Sequence, residues 1–182
     1  SLFIHGVHLD EHEVHLLQET GSMLVHNPES NMNNAVGTAY WLELLRKGVL
    51  VGLGTDGMSS RMIASARAAY LLQRQAMGDP RVAFAEACEL LLTNNRAICE
   101  RLFPEKRGRL EAGHLADVIV TDYLPLTPLS RETFYGHLLF GLVDARVRTT
   151  VCRGRVLMED GFIPHVDEVE IRARCVERAA RL

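Results

Sequence analysis

The sequence carries four cysteines, Cys88, Cys99, Cys152 and Cys175, and no Cys-x-x-Cys pair among them. Thiols this isolated argue against a disulfide frame or a zinc knuckle and fit a reduced, cytoplasmic protein. The chain also lacks a block of like charge: 20 Lys+Arg against 23 Asp+Glu leave a net charge of −3. Nothing in this balance favours nucleic acid or an anionic membrane surface as a partner. No apolar run reaches the roughly 18 residues of a membrane span, and no signal-peptide pattern opens the chain. Internal repeats and low-complexity tracts are missing as well. What remains is ordinary globular composition, 47% hydrophobic and 24% charged over 182 residues.

An initiator Met and a polar lead-in are also lacking. Ser1-Leu2-Phe3-Ile4-His5 enters a strand-like run at once, which predicts a chain that begins inside a longer fold. Leu2–Leu9 reads as a strand, Asp10 with Glu13 has capping-box spacing, and a helix is expected from Glu11 to Thr20 before Gly21. Ser22–His26 is a second short apolar strand, closed by the turn-rich Asn27-Pro28-Glu29-Ser30-Asn31. Gly37–Lys47 places Tyr40, Trp41, Leu44 and Leu45 at helical spacing, and Val49–Leu53 is a third strand, wholly apolar as buried parallel strands are. Met62–Met77 reads as a helix, and Val82–Leu102 as a helical stretch punctuated by Thr93-Asn94-Asn95. Strand–helix repeats with short loops predict parallel α/β architecture; three strands cannot close a barrel, but they suit the last three of eight. Beyond them, Gly108–Asp122 and Val147–Met158 read as β, the latter turning at Arg153-Gly154, with Pro125 and Pro128 in the connection and a closing helix over Asp167–Leu182.

In parallel β/α folds the loops after the strands form the active face. His5, His26 and Asp56 fall there, one per predicted strand. Asp56 sits in "VGLGTDGM", directly behind the third strand, where an isolated buried carboxylate is costly unless it meets a cation or backbone N–H groups. Each of the three has a structural alternative. Asp56 could cap the following helix, His5 could be a satisfied core histidine, and His26 could cap the Asn-Pro turn. His5, His8, His12 and His15 are spaced like one helix face, but Gly6 and the Asp10 cap break any such helix.

The ordered blocks "FIHGVHLDEHEVHLLQETGSMLVHNPESNMNNAVG", "GVLVGLGTDGM", "GRLEAGHLADVIVTDYLPLTPL" and "TTVCRGRVLMEDG" together resemble the amidohydrolase superfamily, in its deaminase and chlorohydrolase-like branch. The resemblance implies a C-terminal portion of a (β/α)8 metal-dependent hydrolase barrel, strands six to eight, over 1–105. It further implies part of a composite β-sandwich over 106–165 and a C-terminal helix over 166–182. By position, Asp56 matches a metal ligand and proton shuttle, His5 a catalytic residue facing the substrate, and His26 a residue near the substrate pocket. The implied cofactor is one divalent metal ion, zinc or alternatively iron, that activates water for hydrolytic deamination or dechlorination of a small-molecule amino-heterocycle. The family's other metal ligands precede the sixth strand, so the chain alone is expected to be inactive. A non-catalytic scaffold of the same fold is the alternative. An uncovered first strand further predicts a homo-oligomer.

Overall fold

In the computed structural model, which describes residues 1–181, three apolar segments pair in a parallel sheet of order β1-β2-β3. These are β1 (Leu2–Ile4), β2 (Met23–His26) and β3 (Leu50–Leu53). The register sets Phe3 beside Leu24 and Leu24 beside Val51, so all three strands run out at the same end of the sheet. Helix α1 (Glu11–Glu19) follows β1 and starts at a reciprocal cap: the Glu13 N–H donates to Asp10 at 2.8 Å, and the Asp10 N–H donates to Glu13 at 2.9 Å. Its Val14 and Leu17 turn inward.

After β2 come α2 (Pro28–Asn33) and α3 (Trp41–Arg46); after β3 comes α4 (Met62–Met77). The core forms where the helices meet the sheet. Leu24, Val51 and Leu53 pack with Trp41, Leu42 and Leu44 of α3 and with Ala66 and Ala69 of α4. Trp41 is completely buried and is the largest side chain there. Small residues on α4 let it approach the sheet closely, while the bulky residues of α3 fill the space beside it.

The chain divides into two units. The first takes Ser1–Leu115 and Tyr123–Ala145, so it also contains α5 (Phe84–Glu89), α6 (Asn95–Leu102) and α7 (Phe134–Phe140). The second takes Ala116–Asp122 and 146–181. It is an antiparallel sheet of β4 (Val118–Thr121), β5 (Val147–Cys152) and β6 (Arg155–Met158), followed by α8 (Glu168–Ala179). Its hairpin turns at Arg153-Gly154 with φ of 50° and 77°, the two left-handed residues that a type I′ turn requires. Helix α8 buries none of its residues and carries i,i+4 ion pairs from Glu168 to Arg172 and from Glu170 to Arg174.

Several elements differ from the sequence expectation. The first strand stops at Ile4, because His5 and Gly6 take φ of 72° and 63° and turn the chain out of extended geometry. The Asn27–Asn31 segment is not merely a turn: Pro28 opens α2 at the first helical position, where its fixed φ fits and its missing N–H is no loss. Between Gly108 and Asp122 only Val118–Thr121 is a strand, since Gly108 and Gly113 take φ of 76° and 86°. The connection after Pro128 contains α7, which buries Leu138 and Leu139 in the core. Of the expected closing helix, Leu182 lies outside the described residues.

The Val82–Leu102 helix is broken at Leu90–Asn94 by a π-helical turn, which brings two consecutive asparagines onto the outer edge of β3. Asn94 Nδ2 donates to the Val51 carbonyl at 2.8 Å. The Asn95 amide accepts from the Leu53 N–H at 2.8 Å and donates to the Leu53 carbonyl at 2.9 Å. Side-chain amides thus take up the Val51 carbonyl and both backbone groups of Leu53 on this edge, as a neighbouring strand would. This arrangement leaves no room at Gly52, where a Cβ would collide with Asn95 Oδ1 and come within 2.5 Å of Ile98 Cδ1. Gly52→Ala is therefore expected to destabilise the chain by about 1–3 kcal/mol through overpacking. A urea melt checks this, and an unchanged midpoint would show that the Asn95 contact yields freely.

Candidate functional site

The segments just past β1 and β3 bring His5 and Asp56 together across the end of the sheet. His5 Nε2 lies 3.7 Å from Asp56 Oδ2, with the two side chains 39% and 45% exposed. Both residues have left-handed backbones, with φ of 72° and 52°. That region is sparsely used by residues other than glycine, though Asp and His tolerate it best, and such backbones gather at functional sites. Asp56 is therefore not the buried carboxylate expected from "VGLGTDGM". It stands three residues beyond the strand end, open to solvent on one side.

Helix α2 supplies the partners of both groups from two consecutive residues. Ser30 Oγ donates to Asp56 Oδ2 at 2.6 Å, and the Gly57 N–H donates to Asp56 Oδ1 at 2.7 Å. The Ser30 hydroxyl first, and the Gly57 N–H next, hold the Asp56 carboxyl below the usual carboxylate range by stabilising its charged form. Asn31 Oδ1 faces His5 Nδ1 at 2.8 Å. Ser30 and Asn31 are 3% and 1% exposed, so both anchors are set by packing and do not depend on surface rotamers. Glu29 ties the same helix to α4 by accepting from Ser65 Oγ at 2.7 Å.

His26 is placed differently. It shares a face of β2 with Leu24 and is completely buried, its ring centroid 6.4 Å from that of Trp41. Burial first, and the nearby charge of His5 second, push its pKa down to about 4, so the ring is neutral at physiological pH. Neither of its ring nitrogens has a hydrogen-bond partner among the described residues. The structure thus pairs His5 with Asp56 and sets His26 into the helix layer beside them. Sequence reasoning missed Ser30 and Asn31 because it read their segment as a turn; Pro28 directly after Asn27 was the available sign of a helix start.

Chemically, the pair offers a carboxylate that remains ionised and an imidazole within reach of the same small volume. A catalytic zinc needs three protein ligands or more, and no group of three His, Cys, Asp or Glu converges among the described residues. His5 and Asp56 by themselves do not make up a metal site.

The model of the amidohydrolase family matches residues 1–157. The chain belongs to the amidohydrolase family. Its relatives include a 5-methylthioadenosine/S-adenosylhomocysteine deaminase of Haloarcula marismortui, 39% identical over 184 residues, a match covering 98% of this chain and 41% of that protein. Among solved structures, atrazine chlorohydrolase of Arthrobacter aurescens TC1, complexed with zinc, superposes with a TM-score of 0.78 at 20% identity over 97% of this chain and 40% of that one. Guanine deaminase of E. coli gives a TM-score of 0.71 at 28% identity, over 87% and 38% respectively. This amidohydrolase chain therefore spans about two fifths of the length of the proteins it matches.

Proposed function

We propose that the amidohydrolase chain supplies the C-terminal strands six to eight of a (β/α)8 barrel, with part of its flanking β-sandwich, to a hydrolytic aminohydrolase. The single observation that carries this reading is the convergence of His5 and Asp56, from two different strand ends, at 3.7 Å. In the reaction, water adds to the ring carbon that bears an amino group. Asp56 takes a proton from that water and returns it to the departing nitrogen, so that ammonia leaves, and the second water proton passes to the adjacent ring nitrogen as the ring carbonyl forms. An ionised carboxylate is the form this role needs, and the Ser30 and Gly57 hydrogen bonds favour that form. His5 hydrogen-bonds the water from the other side, while His26, sealed beside Trp41 with a neutral ring, packs behind the site and does not touch the substrate. A divalent metal, zinc or iron, would complete its coordination with donors from outside this chain, and zinc in the chlorohydrolase neighbour supports that choice.

The substrate class is an amino-heterocycle, and the deaminase relatives favour a 6-aminopurine nucleoside carrying a thioether, such as 5-methylthioadenosine. Ammonia release from that compound by the whole protein is the direct test. Absence of release from it and from other aminopurines and aminotriazines would defeat the reading. A cytoplasmic location belongs to the same proposal, supported by four free cysteines of which Cys152 and Cys175 are exposed.

The isolated chain is expected to self-associate. Leu2, Phe3 and Ile4 of β1 are 37%, 51% and 50% exposed, and a groove of about 560 Å³ runs beside them, lined by Phe3, Leu9, Leu16 and Leu17. An apolar edge strand next to an apolar groove is a template for pairing, whereas the far edge at β3 has three of its backbone groups taken by Asn94 and Asn95. Sedimentation equilibrium at low micromolar concentration should give a dimer or larger species. A stable monomer would count against pairing at β1.

A further inference from the structure

We propose that Asn31 is a positioning residue that fixes His5 in the Nδ1–H tautomer, so that Nε2 meets the reacting water as a hydrogen-bond acceptor. The chemical meaning of this assignment rests on the function proposed above, but the observations that carry it do not. Asn31 Oδ1 is an acceptor only, and it lies 2.8 Å from His5 Nδ1, so the proton between them belongs to the imidazole. A neutral ring with Nδ1 protonated has its lone pair on Nε2, the nitrogen turned toward Asp56. At 3.7 Å that nitrogen is beyond hydrogen-bond distance from the carboxylate, and Asp56 Oδ2 already receives the Ser30 hydroxyl.

The anchor is rigid for a reason visible in the fold. Asn31 is 1% exposed and belongs to α2, which Glu29 and Ser65 pin to α4. His5 by contrast sits in the loop just past β1, with a left-handed backbone and a side chain 39% exposed. Adjacent residues of one helical turn therefore reference both site groups to the same frame: Ser30 orients the carboxylate and Asn31 orients the imidazole. A site in which both groups accept leaves the two protons of an intervening water directed at His5 and Asp56, with its oxygen lone pairs free to attack. That is the arrangement addition of water requires, whereas the opposite tautomer would donate its N–H to the water oxygen and occupy one of those lone pairs.

Long-range proton–nitrogen correlation spectra of the 15N-labelled chain, recorded above the range in which imidazoles protonate, test the assignment without metal or substrate. The His5 signals are identified by their loss in His5→Gln. The expected result is a protonated Nδ1 and an unprotonated Nε2. Asn31→Asp keeps an acceptor oxygen and should keep that tautomer. Asn31→Leu should lose the Nδ1–H signal and revert to the Nε2–H form that free histidine prefers. A wild-type His5 protonated at Nε2 would mean that the Asn31 amide is turned to donate, and it would overturn the proposal, as would an Nδ1–H signal that survives in Asn31→Leu. The wild-type spectrum decides even where the leucine variant fails to fold. Correct tautomers together with no ammonia release from the whole protein would defeat the proposed function and leave this assignment standing.

Discussion

Asp56→Asn in the whole protein is expected to lower turnover by roughly 10²–10⁴-fold, the usual cost of removing an acid–base group. The substitution keeps the size of the side chain and an oxygen that can still accept from Ser30 or Gly57, so the loop should retain its shape. What it removes is basicity: an amide cannot take a proton from water and deliver it to the departing nitrogen. Substrate binding should change little, so the loss belongs in kcat more than in KM. Steady-state ammonia release, with circular dichroism to confirm the fold, measures the effect. Wild-type turnover in this variant would remove Asp56 from the chemistry.

The second large effect is acid destabilisation of the chain through His26. The unfolded chain binds a proton on this ring below its ordinary pKa of 6.5, whereas the folded chain refuses it until about 4. Over that window the unfolded state holds more protons, so stability is full above pH 6.5, falls as pH drops, and stops falling from this cause below about 4. The interval corresponds to about 3 kcal/mol for a shift from 6.5 to about 4. The physical cause is burial without a counter-charge: the ring is 0% exposed and its nitrogens find no partner among the described residues. Urea unfolding across this pH range should show the loss in wild type and a flatter profile in His26→Leu. Parallel profiles for the two proteins would locate the acid sensitivity elsewhere.

Both effects come from residues that were singled out by position alone, at the ends of three apolar segments. That much of the site was legible because strand ends are marked locally, by an apolar run giving way to glycine, asparagine or aspartate. The environments of the two residues were not legible. Asp56 was expected to be buried and stands in the open, because the turn that carries it leaves the sheet after Leu53. His26 was expected at a strand end near the substrate pocket and is sealed beside Trp41, because the side-chain alternation of β2 puts it on the same face as Leu24.

The order of the strands, the family blocks and the caps are legible in the chain alone, because each depends on neighbours a few residues apart. The Asp10–Glu13 cap and the type I′ turn at Arg153-Gly154 are of this kind. Tertiary packing brings Ser30 to Asp56 and Asn31 to His5, since both partnerships span 26 residues of chain. It alone decided that Asn94 and Asn95 close the edge of β3 through a π-helical turn, across 42 or 43 residues. A hydrogen bond between groups that far apart exists only once packing has fixed where two elements cross, and no local periodicity encodes that crossing.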